Sequence, residues 1–167
     1  MGFNTTVWGP GLWTGLFLMA LNYTSHPAPD KKEMYLKYFD VLGDMLPCSY
    51  CRDYYTLIKK ELPLIDFLND TTLKDPVMVW LYLVKDMVNK KLIRQENECF
   101  ATQCMIVDAD QNLSTYAKAR RKTALRKKIF YTTPSPPYEQ IVAHYEQFRS
   151  GCSSGANVAL QSCRHIP

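Results

Sequence analysis

Cys48-Ser49-Tyr50-Cys51, preceded by Leu46-Pro47, places two thiols three residues apart. On a helix, positions i and i+3 share a face, so such a pair can close a disulfide across one turn. Proline pre-sets the backbone of a first helical turn and loses nothing there by lacking an N–H, so Pro47 is expected to open a helix. A helix N-terminus stabilises a thiolate, which predicts Cys48 as the more acidic and reactive sulfur. A redox dithiol is the chemistry this spacing favours. Half of a zinc site and two unconnected core cysteines remain open beside it. The six cysteines fall into three close pairs, Cys48/Cys51, Cys99/Cys104 and Cys152/Cys163. That grouping suggests three local bridges or dithiols, although spacing alone does not fix the pairing.

The elements that must hold the dithiol read as helices. At 167 residues, with 47% hydrophobic and 13% aromatic content, the chain is expected to be one globular domain with extensions. Leu12, Leu16, Met19 and Tyr23 recur at helical spacing, predicting a first helix over 11–23. Asp30 and Glu33 form a capping-box pattern for a second, whose apolar stripe runs Met34, Leu36, Tyr38, Val41, Leu42 and Met45. A third runs from Pro47 to Leu62, closed by Pro63. A fourth opens at Asp75-Pro76, with Val77, Trp80, Leu81, Val84, Val88 and Leu92 along one side. The expected fold is all-α: an antiparallel four-helix bundle with a short fifth helix, an irregular basic insert and a C-terminal tail. The expected boundaries are a bundle core over 1–93, a cysteine-containing basic insert over 94–133, a fifth helix over 134–149 packed on the bundle, and a tail over 150–167. The tail is rich in Ser, Gly and Ala, flexible unless Cys152 and Cys163 tether it.

The net charge of +4 is mild but unevenly placed. No acidic residue occurs from Gln111 to Tyr138, a span containing Lys118, Arg120, Arg121, Lys122, Arg126, Lys127 and Lys128. Such a block suits a polyanion, a membrane surface or an acidic partner protein, and a merely solvated basic helix is the plain alternative. The longest apolar stretch, Gly11 to Leu21, falls short of the ~20 residues a membrane span needs. No positive charge precedes it, which argues against a signal peptide. Met1-Gly2 loosely fits a myristoylation pattern, with Phe3 a poor neighbour for it.

Further residues surround the dithiol in a recognisable order. Trp8-Gly9-Pro10-Gly11-Leu12-Trp13 leads the first helix, with Asn22-Tyr23 after it, and Trp80 precedes Val88-Asn89-Lys90-Lys91-Leu92. Together with the CxxC, this order resembles the Erv/ALR flavin-linked sulfhydryl oxidases, and most of all their compact versions encoded by large DNA viruses. The resemblance covers about residues 7–93 and extends to 134–148. It implies a helical bundle holding FAD beside the dithiol, oxidation of protein thiols to disulfides, and electron transfer to molecular oxygen with release of hydrogen peroxide. It implies Cys51 as the flavin-proximal sulfur and Cys48 as the one that exchanges with an incoming dithiol. It assigns Gly9, Trp13, Phe17, Tyr23, Lys85, Val88, Asn89, Lys91 and Arg94 to the cofactor. A thiol-containing protein substrate or redox relay protein, a homodimer, and a place in the host cytoplasm or virion follow from it as expectations.

Two positions depart from the family pattern. Trp13-Thr14-Gly15-Leu16-Phe17 stands where Trp-x-x-x-His is usual, and Lys85-Asp86-Met87-Val88-Asn89 where His-Asn-x-Val-Asn is usual. Phe17 can stack on a flat ring but cannot donate a hydrogen bond, and an ammonium at Lys85 carries a desolvation cost that an imidazole does not. A flavin-poor member serving as a structural or assembly protein is therefore the alternative function. A flavin-free thiol–disulfide carrier is a third. By the same resemblance, Cys99 and Cys104 are expected as a structural bridge, and Cys152 and Cys163 as a shuttle or tether.

Overall fold

The computed structural model describes residues 3–23 and 28–149, and these contain seven helices and no strand. Helix α1 spans Thr5–Leu21 and starts earlier than the expected Gly11. Asn4 causes this: its Oδ1 accepts the Thr6 N–H at 3.0 Å and the Thr6 hydroxyl at 2.9 Å. Pro10 then lies inside the helix, where its missing N–H forfeits a single bond near an exposed terminus.

Helix α2, Pro29–Met45, begins with proline and has no side-chain cap. The expected Asp30 capping box does not form, because Asp30 already lies within the first turn and Glu33 pairs with Lys37 at 2.7 Å. Its apolar stripe also needs correction. Met34, Tyr38, Val41 and Met45 are exposed, whereas Phe39 is buried and Tyr35 and Leu42 pack beside it. At 3.6 residues per turn these are two stripes about 100° apart, and only one can face the core.

Helix α3, Ser49–Glu61, follows an extended Leu46-Pro47-Cys48 segment, so Pro47 precedes the cap instead of opening the first turn. A short helix α4, Leu64–Asn69, follows Pro63. Helix α5, Pro76–Ala109, contributes the centre of the core: Val77, Met78, Trp80, Leu81 and Val84 are buried. The Trp80 ring meets Phe39 edge-on at 4.8 Å, and its indole N–H donates to the Leu62 carbonyl at 2.9 Å. The polar end of the largest buried side chain is thereby satisfied.

Residues 94–133 are not irregular. Helix α5 runs straight through residue 93, for about 50 Å in all. After a turn at 110–114, helix α6, Thr115–Ile129, folds back along it. The pairing is antiparallel: Lys122 reaches Asp108 at 2.6 Å, Arg126 lies over Phe100 at 5.4 Å, and the Thr132 N–H donates to the buried Glu96 carboxylate at 3.1 Å. The last helix, α7 (Tyr138–Glu146), packs on α1. No helix among the described residues is long and apolar enough to cross a membrane. Gly2, Cys152, Cys163 and the 150–167 tail lie outside the described residues.

Candidate functional site

The dithiol sits at the start of α3. Cys48 is the N-cap, and its Sγ accepts the Cys51 N–H at 3.3 Å. That amide belongs to a helix N-terminus, the position the sequence marked for the exchanging sulfur. The preceding loop is fixed on both sides. The Arg52 guanidinium donates to the Leu46 carbonyl at 2.6 Å, and the Phe3 N–H donates to the Pro47 carbonyl at 3.0 Å. The Trp8 indole closes this clasp by donating to the Phe3 carbonyl at 3.2 Å. Both thiols are free and partly buried, and Cys51 packs against the core. Between them Tyr50 stands in solvent, 81% exposed, so an approaching chain meets it beside Cys48.

Burial pushes the Cys51 thiol up to about 12, helped by the hydrogen bond to Cys48 and by that sulfur's charge. Lys91 and Arg52 act in the opposite direction. Lys91 reaches this end of the site by lying over the Tyr54 ring at 3.9 Å, while the Tyr54 hydroxyl donates to the Met87 carbonyl at 3.2 Å. Tyr54 is a contributor the sequence reading missed; its spacing from Cys51, one turn on, was the available signal.

The other residues assigned to a cofactor separate into groups. Lys85 donates to Asn89 Oδ1 at 2.9 Å and lies over the Trp13 ring at 4.8 Å. Burial lowers the Lys85 pKa from the ordinary lysine value. The Asn89 amide then donates to the Ser135 hydroxyl at 3.0 Å. Phe17 is buried, and Tyr145 of α7 stacks on it at 5.0 Å. Val88 is partly buried against the core beside these residues, and Gly9 is buried in α1. Tyr23 turns elsewhere: its ring meets Tyr35 of α2 edge-on at 4.9 Å, and burial raises its hydroxyl pKa. Arg94 is not gathered in; it is exposed and lies 3.9 Å from Glu98.

Whether an FAD fits these residues can be judged from their partners. The Lys85–Asn89–Ser135 chain satisfies its members internally, and no buried side-chain nitrogen or oxygen among the described residues lacks a partner. The flat face of Phe17 is covered by Tyr145, and Trp13 by the Lys85 ammonium. Hollows of about 480 and 500 Å³ lie on the α5–α6 hairpin. With α7 in this position, Tyr145 takes a face of Phe17 and Lys85 a face of Trp13, while the dithiol end with Lys91 keeps the charge and burial a redox partner needs.

Cys99 and Cys104 require a correction. Both are free, and both lie on the uninterrupted α5. Five residues along a helix separate two positions by ~7.5 Å of rise and turn them to different faces, beyond the ~4.4–6.8 Å Cα separation of a disulfide. Among the described residues, no three His, Cys, Asp or Glu side chains are grouped to hold a metal.

A search of curated proteins finds no match for the chain. A family model described as the Erv1 / Alr family matches residues 10–109, from the second turn of α1 to the end of α5, more than half of the sequence. The match takes in Cys48 and Cys51, Trp13 and the Lys85–Asn89 pair, while Phe3 and Trp8 of the clasp and Ser135 lie outside it. Members of that family are typically FAD-linked sulfhydryl oxidases, and this chain belongs to the Erv1 / Alr family.

Proposed function

We propose that the chain oxidises protein dithiols through Cys48 and Cys51. The observation that carries this reading is the placement of Cys48 at the α3 cap, its sulfur facing the Cys51 amide, with Cys51 packed inward. In the disulfide state, a substrate thiolate attacks Cys48 Sγ, the Cys48–Cys51 bond breaks, and Cys51 leaves and takes up a proton. The mixed disulfide is resolved when the second substrate thiol, losing its proton, attacks the substrate sulfur and frees Cys48. Two substrate thiols become a disulfide while the protein's own disulfide becomes two thiols, so two electrons and two protons change hands. The family's acceptor for these electrons is FAD, with oxygen after it and hydrogen peroxide as product.

A second reading, a flavin-poor structural or assembly protein, is favoured by the internally satisfied Lys85–Asn89–Ser135 chain and by Tyr145 on Phe17. One experiment separates the two: the visible spectrum of the purified protein with and without added FAD, followed by oxygen consumption with a dithiol. The oxidase reading expects a stoichiometric flavin band and turnover that is lost in Cys48→Ser and Cys51→Ser. A colourless protein, inert toward dithiols even with excess FAD, overturns it and leaves the structural reading. The proposal includes a homodimer, supported by the exposed row of Met34, Tyr38, Val41 and Met45 on α2.

A further inference from the structure

Helix α6 lies beyond the residues that match the family, so the oxidase reading does not account for its surface. Its residues include seven lysines and arginines and no acid. Three of the seven are engaged with the end of α5. Lys122 pairs with Asp108 at 2.6 Å, Arg121 stands 3.8 Å from Asp110, and Lys118 donates to the Asp108 carbonyl at 2.7 Å. Ser114 caps the helix, its hydroxyl accepting the Ala117 N–H at 3.2 Å. These contacts fix which side of α6 faces inward.

The other four, Arg120, Arg126, Lys127 and Lys128, have no carboxylate partner among the described residues. At roughly 100° per residue, Arg120 and Lys127 share the outer ridge, and Arg126 and Lys128 stand about 100° to either side of it. Arg126 is braced over the Phe100 ring at 5.4 Å. Tyr116 and Thr123 complete the ridge around the small Ala119 and Ala124, leaving a shallow hollow of about 500 Å³. The apolar Leu125 and Ile129 face the α5–α6 cleft, and Lys128, itself exposed, stands at its rim.

We propose that α6 is a DNA-binding element that enters the major groove of duplex DNA. A helix ~10–12 Å across matches a groove ~12 Å wide. In that position the ridge of Arg120, Thr123 and Lys127 meets base edges, while Arg126 and Lys128 meet phosphates on the two opposite walls. Cations fanned to both sides suit a groove with two anionic walls; a flat acidic protein would engage one side. A membrane surface requires an apolar face to bury, and the large aliphatic side chains of α6 are turned inward. The deep, narrow major groove of duplex RNA does not admit a helix.

The test uses the full-length reduced protein and a fluorescently labelled ~20-bp DNA duplex of mixed sequence, with anisotropy read across a salt series. The two phosphate cations, Arg126 and Lys128, predict an affinity falling with salt at a log–log slope of about −2. Arg126→Gln with Lys128→Gln is expected to weaken binding at least about tenfold and flatten the slope by about 2 units, and Arg120→Gln with Lys127→Gln to weaken it at least about tenfold with the slope kept. Lys37→Gln on α2 serves as the charge control and is expected to change nothing. All five positions are exposed, and circular dichroism checks that the variants keep their helices. Absence of binding at low salt, undiminished binding by either double variant, equal affinity for a duplex RNA of the same sequence, or preference for phosphatidylserine vesicles over DNA would each overturn the proposal.

Discussion

Cys51 is held as a thiol by its surroundings. Burial is the largest influence, the hydrogen bond to Cys48 and that sulfur's charge add to it, and Lys91 and Arg52 oppose it, leaving the pKa raised to about 12. The folded-state value lies above the ordinary 9.0, so the unfolded chain ionises first as pH rises. The reduced fold therefore loses stability between about pH 9 and 12, with no contribution from this group below pH 9. A sharper prediction concerns reactivity. Replacing Cys48 with alanine removes two of the three raising influences, so alkylation of Cys51 by iodoacetamide at pH ~8.5 should quicken, by about tenfold for each unit the pKa falls. Lys91→Gln should slow it. Peptide mass spectrometry of quenched time points reads both; an unchanged rate in Cys48→Ala would leave burial as the sole cause. At this scale the sequence was readable where partners are close along the chain. The i, i+3 thiols and the i, i+4 pair of Lys85 and Asn89 are visible in a short window. Ser135 and Tyr145, which complete the second group, come from far along the chain, and no local pattern announces that they fold back.

Among the elements, α2 and α3 meet more closely than side-chain patterns imply. A Cβ on Gly43 would stand 2.8 Å from Cδ1 of Tyr55, whose hydroxyl donates to the Phe39 carbonyl at 2.7 Å. Gly43→Ala gains up to about 1 kcal/mol in helix propensity. It also forces the buried ring aside, an overpacking that costs about 1–3 kcal/mol, and weakens a hydrogen bond contributing about 1 kcal/mol. The expected outcome is a net loss of about 1–3 kcal/mol, or roughly 2–10 °C in Tm by calorimetry. Gly15→Ala on α1, where a Cβ meets nothing within 4 Å, should be neutral or stabilising. A Gly43→Ala protein as stable as Gly15→Ala would show that the hairpin yields freely. The same scale holds the largest misreading. Cys99 and Cys104 drew attention to a bridge, while the stronger signal was negative: no glycine or proline occurs from Val77 to Thr133. With no breaker before Asp110, α5 continues, and helical continuity decides against the bridge. The converse held at Pro10, a breaker in pattern that the Asn4 cap and an exposed first turn accommodate.

At the scale of the whole molecule, α2 carries two apolar stripes. One of its stripes supplies Phe39 and Leu42 to the core; the other presents Met34, Tyr38, Val41 and Met45 to solvent. Sequence alone could not choose between two stripes of equal length, and only the packing of Phe39 on Trp80 decides which turns inward. The outer row spans ~16 Å, and on α1 Leu18 and Met19 are also exposed. A row at i, i+4, i+7 and i+11 is self-complementary: set against a second copy about a two-fold axis, it meets the same row, as a homodimer requires. One helix face with an edge of α1 is smaller than the ~800 Å² per partner of a stable interface, so the dimer should be concentration-dependent. Light scattering on the reduced protein should show its mass rising toward twice 19.3 kDa as concentration increases. Met34→Glu with Val41→Glu should hold it at the monomer mass, and because both side chains are exposed the variant should retain the wild-type Tm. A wild-type protein that stays monomeric throughout the series would leave this stripe without its second copy.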